Sequence, residues 1–148
     1  MKSLHLAKVD DLEKLLTMVA AFHAEMGFDT DQTHRKNALM PLLEGSPYGA
    51  IWLIGPKLAP VGYIVITFTW SVEFGGLDSF LDEIYIRPAV RRRGMGAEAL
   101  GAIANTLKSS GIRAMNLEVD RQNVMAQEFY HRAHFTSRDH YLLMCRPL

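Results

Sequence analysis

The apolar positions of this chain change period along its length, and each change marks an element. Leu4 and Leu6 alternate with polar neighbours, which predicts a short first strand. Leu12, Leu15, Leu16, Val19, Phe22 and Met26 then follow helical spacing. Asp10 with Glu13 three residues on gives this helix a capping-box-like start, and Gly27 ends it. A second helix is expected from Thr30 or Asp31, turning Ala38, Leu39, Leu42 and Leu43 inward, with Pro41 kinking or interrupting it. After the Gly45-Ser46-Pro47 loop, Ala50 to Ile54 reads as a buried strand and Gly55 to Pro60 as a hairpin connection. Val61 to Ser71 is the longest β-branched and aromatic run, so it is expected to be central in a sheet.

The turn at Glu73 to Gly76 leads to the stretch around which the rest is arranged, an apolar-rich strand from Phe80 to Ile86. Pro88 lacks an amide N–H and biases Arg87 away from helix, so the strand must stop there. From Ala97 the positions Ala97, Leu100, Ile103, Ala104 and Leu107 form an amphipathic stripe, closed by Ser110-Gly111, and Ala114 to Val119 returns as a strand. A strand, a crossover helix and a second strand make the two strands parallel inside an otherwise antiparallel sheet. A further helix follows, and Tyr141 to Met144 reads as a closing strand. The expectation is an α/β fold with a mixed, mostly antiparallel sheet, in one domain over residues 1–148.

Composition narrows the function. The 148 residues carry 16 basic and 16 acidic side chains, which argues against a nucleic-acid groove or a polybasic membrane anchor. No apolar stretch approaches the length of a membrane span and no basic start precedes an apolar run, so the chain is expected to be cytoplasmic. Cys145 is the single cysteine, which rules out an intrachain disulfide and reads as a small buried hydrophobe. His131 and His134 have helical spacing, but no third ligand follows at a recognisable interval, so no metal is expected.

The chemistry lies at the turn after Ile86. Arg91, Arg92, Arg93, Gly94, Met95, Gly96 and Ala97 open the crossover helix. A helix start offers unpaired amide N–H groups and the positive end of the macrodipole, and glycines let the backbone approach a ligand closely. With three guanidinium groups beside it, a diphosphate is well matched. No third glycine and no Gly-Lys-Ser/Thr follows, which sets aside the dinucleotide fingerprint and the P-loop. Arg91-x-x-Gly94-x-Gly96 after a strand resembles the acyl-CoA pyrophosphate loop of the GNAT superfamily of N-acetyltransferases. Leu117-Glu118-Val119, then Asn123-x-x-Ala126-x-x-Phe129-Tyr130 and Phe135, resembles that superfamily's next strand and helix. The resemblance covers roughly Val61 to Phe135, with one departure at His134, where many members have Gly.

The resemblance implies a GNAT-like sheet whose parallel pair splays apart, with helices on both faces, and acetyl-CoA as co-substrate. It implies that the backbone of Ile84, Tyr85 and Ile86 pairs with the pantetheine arm, and that Tyr130 sits beside the thioester sulfur as general acid. A phenol of pKa ~10 can protonate a thiolate whose acid is near ~8.5 without being ionised at neutral pH. Helical spacing puts Asn123, Ala126 and Tyr130 on a wet stripe, with Met125, Phe129 and Ala133 on an apolar one. Asn123 would contact pantetheine or cap the helix. For the base, Asp82 and Glu83 are adjacent on a strand and point to opposite faces; Glu83 is favoured, and Glu118 is a third candidate. Glu25, Asp29, Asp31, Glu73 and Asp78, with Trp70 and Phe74, could wall a pocket for a cationic amine acceptor. The reading is an N-acetyltransferase acting in a ternary complex, and its rival is a non-catalytic acetyl-CoA sensor. Homodimers are common in the family, and no sequence feature here shows one.

Overall fold

The computed structural model describes residues 3–148, which form two compact units, one ending at Asn116 and the other beginning at Leu117. The first unit holds a five-stranded sheet in sequence order: β1 (Leu4–Leu6), β2 (Gly49–Ile54), β3 (Gly62–Ser71), β4 (Gly76–Ile86) and β5 (Met115–Asn116). The first three junctions are antiparallel, and β4 with β5 is the parallel pair that the crossover requires. The long apolar run is the central strand, as its composition suggests. Among the described residues no helix is long and apolar enough to cross a membrane.

Helix α1 (Leu12–Met26) starts later than Asp10, because residues 9–11 form a 3-10 turn in which Asp11, not Asp10, accepts the Lys8 amide at 2.9 Å. Gly27 ends it in the left-handed region, at φ 75°. Helix α2 (Gln32–Leu43) is capped by Asp31, whose carboxylate accepts the His34 amide at 2.8 Å. It runs through Pro41 without interruption, since a proline in the last turn costs only one ladder bond close to the end. Leu39 and Leu43 are buried, but Ala38 is exposed.

One face of the sheet presents Ile51, Leu53, Tyr63, Val65 and Tyr85 to Leu15, Leu16, Met18 and Val19 of α1 and Leu39 and Leu43 of α2. Burying each of these aliphatic side chains contributes about 1.5–3 kcal/mol. Strand alternation turns Ile64 and Ile66 to the other face, where α3 (Met95–Ser109) packs on β4. The buried stripe of α3 is Ala99, Leu100, Ile103 and Leu107; Ala97 and Ala104 are exposed, so the helix is rotated from the expected orientation. Ile112 donates to the Leu107 carbonyl with Gly111 at φ 86°, a Schellman-type exit.

Asp82 is an extra residue in β4. Val65 pairs with Glu83 and Ile66 with Leu81, so the ladder skips Asp82 and the strand bulges there. The skip shifts the alternation: Leu81 shares Ile66's face, whereas Glu83 shares the α1 face with Tyr85.

The second unit holds α4 (Val124–Arg132). The expected strand from Ala114 to Val119 is only Met115–Asn116, and residues 141–144 form no strand: Tyr141, Leu142, Leu143 and Met144 are exposed. Cys145 is exposed too, not buried. In both places the apolar run is too short for periodicity to decide its state.

Candidate active site

Glu83 stands at the centre of a hydrogen-bonded cluster. Its Oε1 accepts the Tyr63 hydroxyl at 2.7 Å, and its Oε2 lies 2.7 Å from Nε2 of His23. Tyr63 comes from β3, His23 from the last turns of α1, and both are buried. The other ring nitrogen of His23, Nδ1, is 2.7 Å from the Thr30 hydroxyl. Arg35 of α2 donates to that same hydroxyl oxygen at 3.1 Å and also to the Thr30 carbonyl. Burial, reinforced by the charge and hydrogen bond of Glu83, pushes the Tyr63 phenol far above its ordinary value, so it remains a proton-bearing donor. Phe22 packs edge-on against Tyr63 and Tyr85, with centroids 6.4 and 6.1 Å away, and Phe28 packs edge-on against His23 at 5.4 Å. These rings wall the cluster on the α1 side.

Immediately after β4 the chain makes a 3-10 turn at Pro88–Val90 and enters the Arg-Gly loop. Arg91 forms a bidentate pair with Glu25 of α1, both contacts at 2.8 Å, and its Nε donates to the Ile86 carbonyl at 2.7 Å. Its guanidinium also lies over the Tyr85 ring, 5.5 Å from the centroid. The hydrogen bond from Arg91 holds the Glu25 carboxyl below its ordinary value and outweighs the opposing effect of partial burial. Arg92 at φ 64° and Gly94 at φ 80° both occupy the left-handed region. A Cβ on Gly94 would meet nothing within 4 Å, so its backbone angle, not crowding, favours glycine there. Helix α3 starts at Met95, which places Gly96 and Ala97 in its first turn, where amides have no intrahelical acceptor. The chemistry of a diphosphate fits this loop through those amides and the exposed Arg93. Two of the Arg91 N–H groups remain beyond its bonds to Glu25 and Ile86.

Ile84, Tyr85 and Ile86 form the end of β4, beyond the two residue pairs, Ser79 with Met115 and Phe80 with Asn116, that join it to β5. Their antiparallel partners on β3 are Ile64, Tyr63 and Gly62. Asp82 is exposed at the bulge, while Glu83 faces inward. The two adjacent carboxylates differ in exposure because the bulge leaves Asp82 outside the ladder, not because a regular strand alternates there.

In the second unit Asn123 caps α4, its side chain accepting the Ala126 amide at 3.0 Å. Tyr130 is half-buried between Phe129 and Phe135, at 5.2 and 5.8 Å, and burial pushes its phenol up. The expected division of α4 into wet and dry stripes does not hold: Met125 is exposed, whereas Tyr130 and Ala126 are half-buried. His134 has φ 71°, and Phe135 donates back to the Tyr130 carbonyl at 3.0 Å. A glycine at His134 would relieve this left-handed exit, which gives a physical reason for the family pattern there. Glu118 is exposed beyond β5.

Of the proposed acceptor-wall acids, Glu25 binds Arg91, Asp31 caps α2, and Asp78 is buried with Oδ1 accepting from the Ser79 amide and the Asn116 side chain, each at 2.8 Å. Trp70 and Phe74 are exposed. His23 and Tyr63 were not singled out by sequence reasoning. The one available signal was that His23 occupies an apolar-stripe position of α1, four residues after Val19.

The sequence profile described as the acetyltransferase (GNAT) family matches residues 12–135. The chain belongs to the GNAT acetyltransferase family. It is accordingly an acyltransferase, and the mixed sheet with its single parallel pair is the GNAT fold. The crystal structure of integron cassette protein HFX_CASS3, from the mobile metagenome of Cole Harbour Salt Marsh, is similar to this GNAT chain. It is 31% identical with a TM-score of 0.87, covering 99% of this chain and 91% of that one. The fold is also shared with an aminoglycoside acetyltransferase, meta-AAC0020, from an uncultured soil metagenomic sample, solved with sisomicin. That pair is 14% identical, TM-score 0.78, covering 98% and 95% of the two chains. A ribosomal-protein-alanine N-acetyltransferase from Brucella melitensis biovar Abortus 2308 gives 14% identity and a TM-score of 0.77, covering 97% and 96%. No curated protein sequence matches the chain.

Proposed function

We propose that this GNAT enzyme moves an acetyl group from acetyl-CoA to a primary amine of a small molecule or protein, by direct attack of the amine on the thioester in a ternary complex. The observation that carries the reading is the Glu83 carboxylate, held at both oxygens on the strand that runs into the Arg-Gly loop. An alkyl amine of pKa ~10.4 costs roughly 4–5 kcal/mol to deprotonate at pH 7, so a fixed carboxylate near the nitrogen lowers the barrier. An ionised carboxylate offers about four lone-pair directions. Tyr63 and His23 take two, and the others accept a proton from the ammonium directly or through one water.

Acetyl-CoA would be held by the first-turn amides of α3 around Gly94, Met95, Gly96 and Ala97, with Arg91, Arg92 and Arg93 alongside and the β4 backbone at Ile84 to Ile86 toward pantetheine. As the amine attacks, the C–S bond breaks and the thiolate takes a proton. The family resemblance gives that proton to Tyr130, whose raised phenol pKa keeps it protonated at neutral pH. Asn123 and Ala126 belong to the same assignment. Asp82 remains the alternative base.

Fold neighbours are named for aminoglycoside and for ribosomal-protein alanine acetylation, so the acceptor panel spans aminoglycosides, polyamines, lysine peptides and N-terminal peptides. Thiol release with acetyl-CoA across that panel is expected to find one amine class. Tyr130→Phe is then expected to cut kcat by about 10²-fold with acetyl-CoA affinity retained. Wild-type turnover in that variant would remove Tyr130 from the chemistry.

A further inference from the structure

The cluster around Glu83 has a direction. Arg35 can only donate, and it donates to the Thr30 hydroxyl oxygen. That oxygen, receiving the Arg35 N–H, has its own proton to give to Nδ1 of His23, 2.7 Å away. A neutral ring accepting at Nδ1 carries its hydrogen on Nε2, and Nε2 faces an ionised carboxylate, which only accepts. With a neutral His23 ring, every bond then runs the same way, from a permanent cation on α2 through the α1–α2 loop and α1 to Glu83 on β4. The Tyr63 hydroxyl holds the other carboxylate oxygen from β3. Both ring nitrogens of His23 are engaged, which leaves no lone pair to take a proton from a substrate.

From this geometry we propose that His23 is a positioning residue for Glu83, and that Thr30, oriented by Arg35, selects the tautomer in which His23 works. The inference rests on Glu83 as the base. Two donors from different elements fix the plane of the carboxylate, so its free lone pairs keep one direction during attack. The same chain ties Glu83 to the α1–α2 loop, whose residue Phe28 packs on the His23 ring. A shift of Thr30 would thus be felt at the base, although 53 residues separate them in sequence (83 − 30).

The test compares His23→Leu, His23→Gln, Thr30→Val, Thr30→Ser and Glu83→Gln by kcat and KM, using the panel amine that turns over, with calorimetric acetyl-CoA affinity and thermal melting alongside. His23→Leu is expected to lower kcat by up to about 100-fold, as a misplaced catalytic group does, with acetyl-CoA affinity unchanged. His23→Gln keeps an amide donor near Nε2 and is expected to recover most of the loss. Thr30→Val falls and Thr30→Ser recovers in the same way, which reads the chain independently should His23→Leu not fold. His23→Leu added to Glu83→Gln is expected to cost nothing further.

Equal losses in the Leu and Gln variants of His23 would make its role one of packing and overturn the proposal. A fall in Glu83→Gln with full turnover in His23→Leu overturns it while leaving the base reading intact. Full turnover in Glu83→Gln overturns the base reading, and this inference with it.

Discussion

The two ends of β4 are held by different forces. At its start, Ser79 and Phe80 pair with Met115 and Asn116, and Asp78 accepts from the Ser79 amide and the Asn116 side chain. The Ser79 hydroxyl and amide both donate to the Ala114 carbonyl, at 2.7 and 3.0 Å. This end is a main-chain ladder with one buried polar brace. At its far end, beyond its pairing with β5, β4 keeps its ladder with β3 and is gripped from above by side chains of α1: His23 bonds Glu83, and Glu25 bonds Arg91 just past the strand. The last turns of α1 thus hold both the proposed base and the Arg-Gly loop. A ladder gives rigidity that is largely indifferent to side-chain identity, whereas a side-chain grip can be altered one residue at a time. The proposed chemistry belongs to the end of the second kind.

That contrast can be broken at four points. The largest effect belongs to Glu83→Gln, which keeps the shape but removes the proton acceptor. It is expected to cut kcat by about 10²–10⁴-fold with little change in melting temperature, read by thiol release. Gly62→Ala is next. The added Cβ would lie 2.2 Å from the Tyr85 carbonyl and 2.9 Å from Ile86 Cδ1, so β3 and β4 must separate beside the site. A loss of roughly 2–4 kcal/mol is expected by denaturant titration, together with weaker acetyl-CoA binding.

Asp78→Ala tests the ladder end. It removes one acceptor from the half-buried Asn116 amide and from the Ser79 N–H, which keep the Ser79 and Ala114 carbonyls, and is expected to cost about 0.5–1.5 kcal/mol of stability, with the KM for acetyl-CoA moved less than by Gly62→Ala.

The smallest effect on stability is that of Glu25→Gln, since both partners are more than a third exposed and such pairs contribute at most ~1 kcal/mol. Its signature is in the pH dependence. The folded-state pKa of Glu25 is depressed by Arg91, so the pair's contribution is full above the ordinary Glu value and fades as pH falls through the lower folded value. Melting curves of the two proteins should therefore converge in acid and differ near neutrality. Convergence at neutral pH would show that the ion pair contributes nothing.

Much of the fold was legible because its signals are local. The Val61 to Ser71 run, the crossover from the Phe80 strand and the left-handed glycines at 27, 94 and 111 all follow from residue chemistry over a few positions. The misreadings share one origin. Ala97 and Ala104 fit a helical stripe as well as Ala99 does, and only the neighbouring sheet decides which alanine is covered. Tyr141 to Met144 satisfies a strand pattern, but strand formation needs an edge that no local pattern specifies.

By itself the sequence determined the order of elements from β1 to α4, the parallel pair, the glycine-bearing helix start and membership of the GNAT family, since each is written in spacing along a single segment. Tertiary structure decided which carboxylate turns inward, through one bulge residue at Asp82, and which partners it meets. His23 lies 60 residues from Glu83, and Glu25 lies 66 from Arg91. Nothing local can encode a contact at that separation, because it depends on how far α1 is rotated on the sheet and where the β3–β4 register slips. Those quantities come into existence only when the helix and the strands pack.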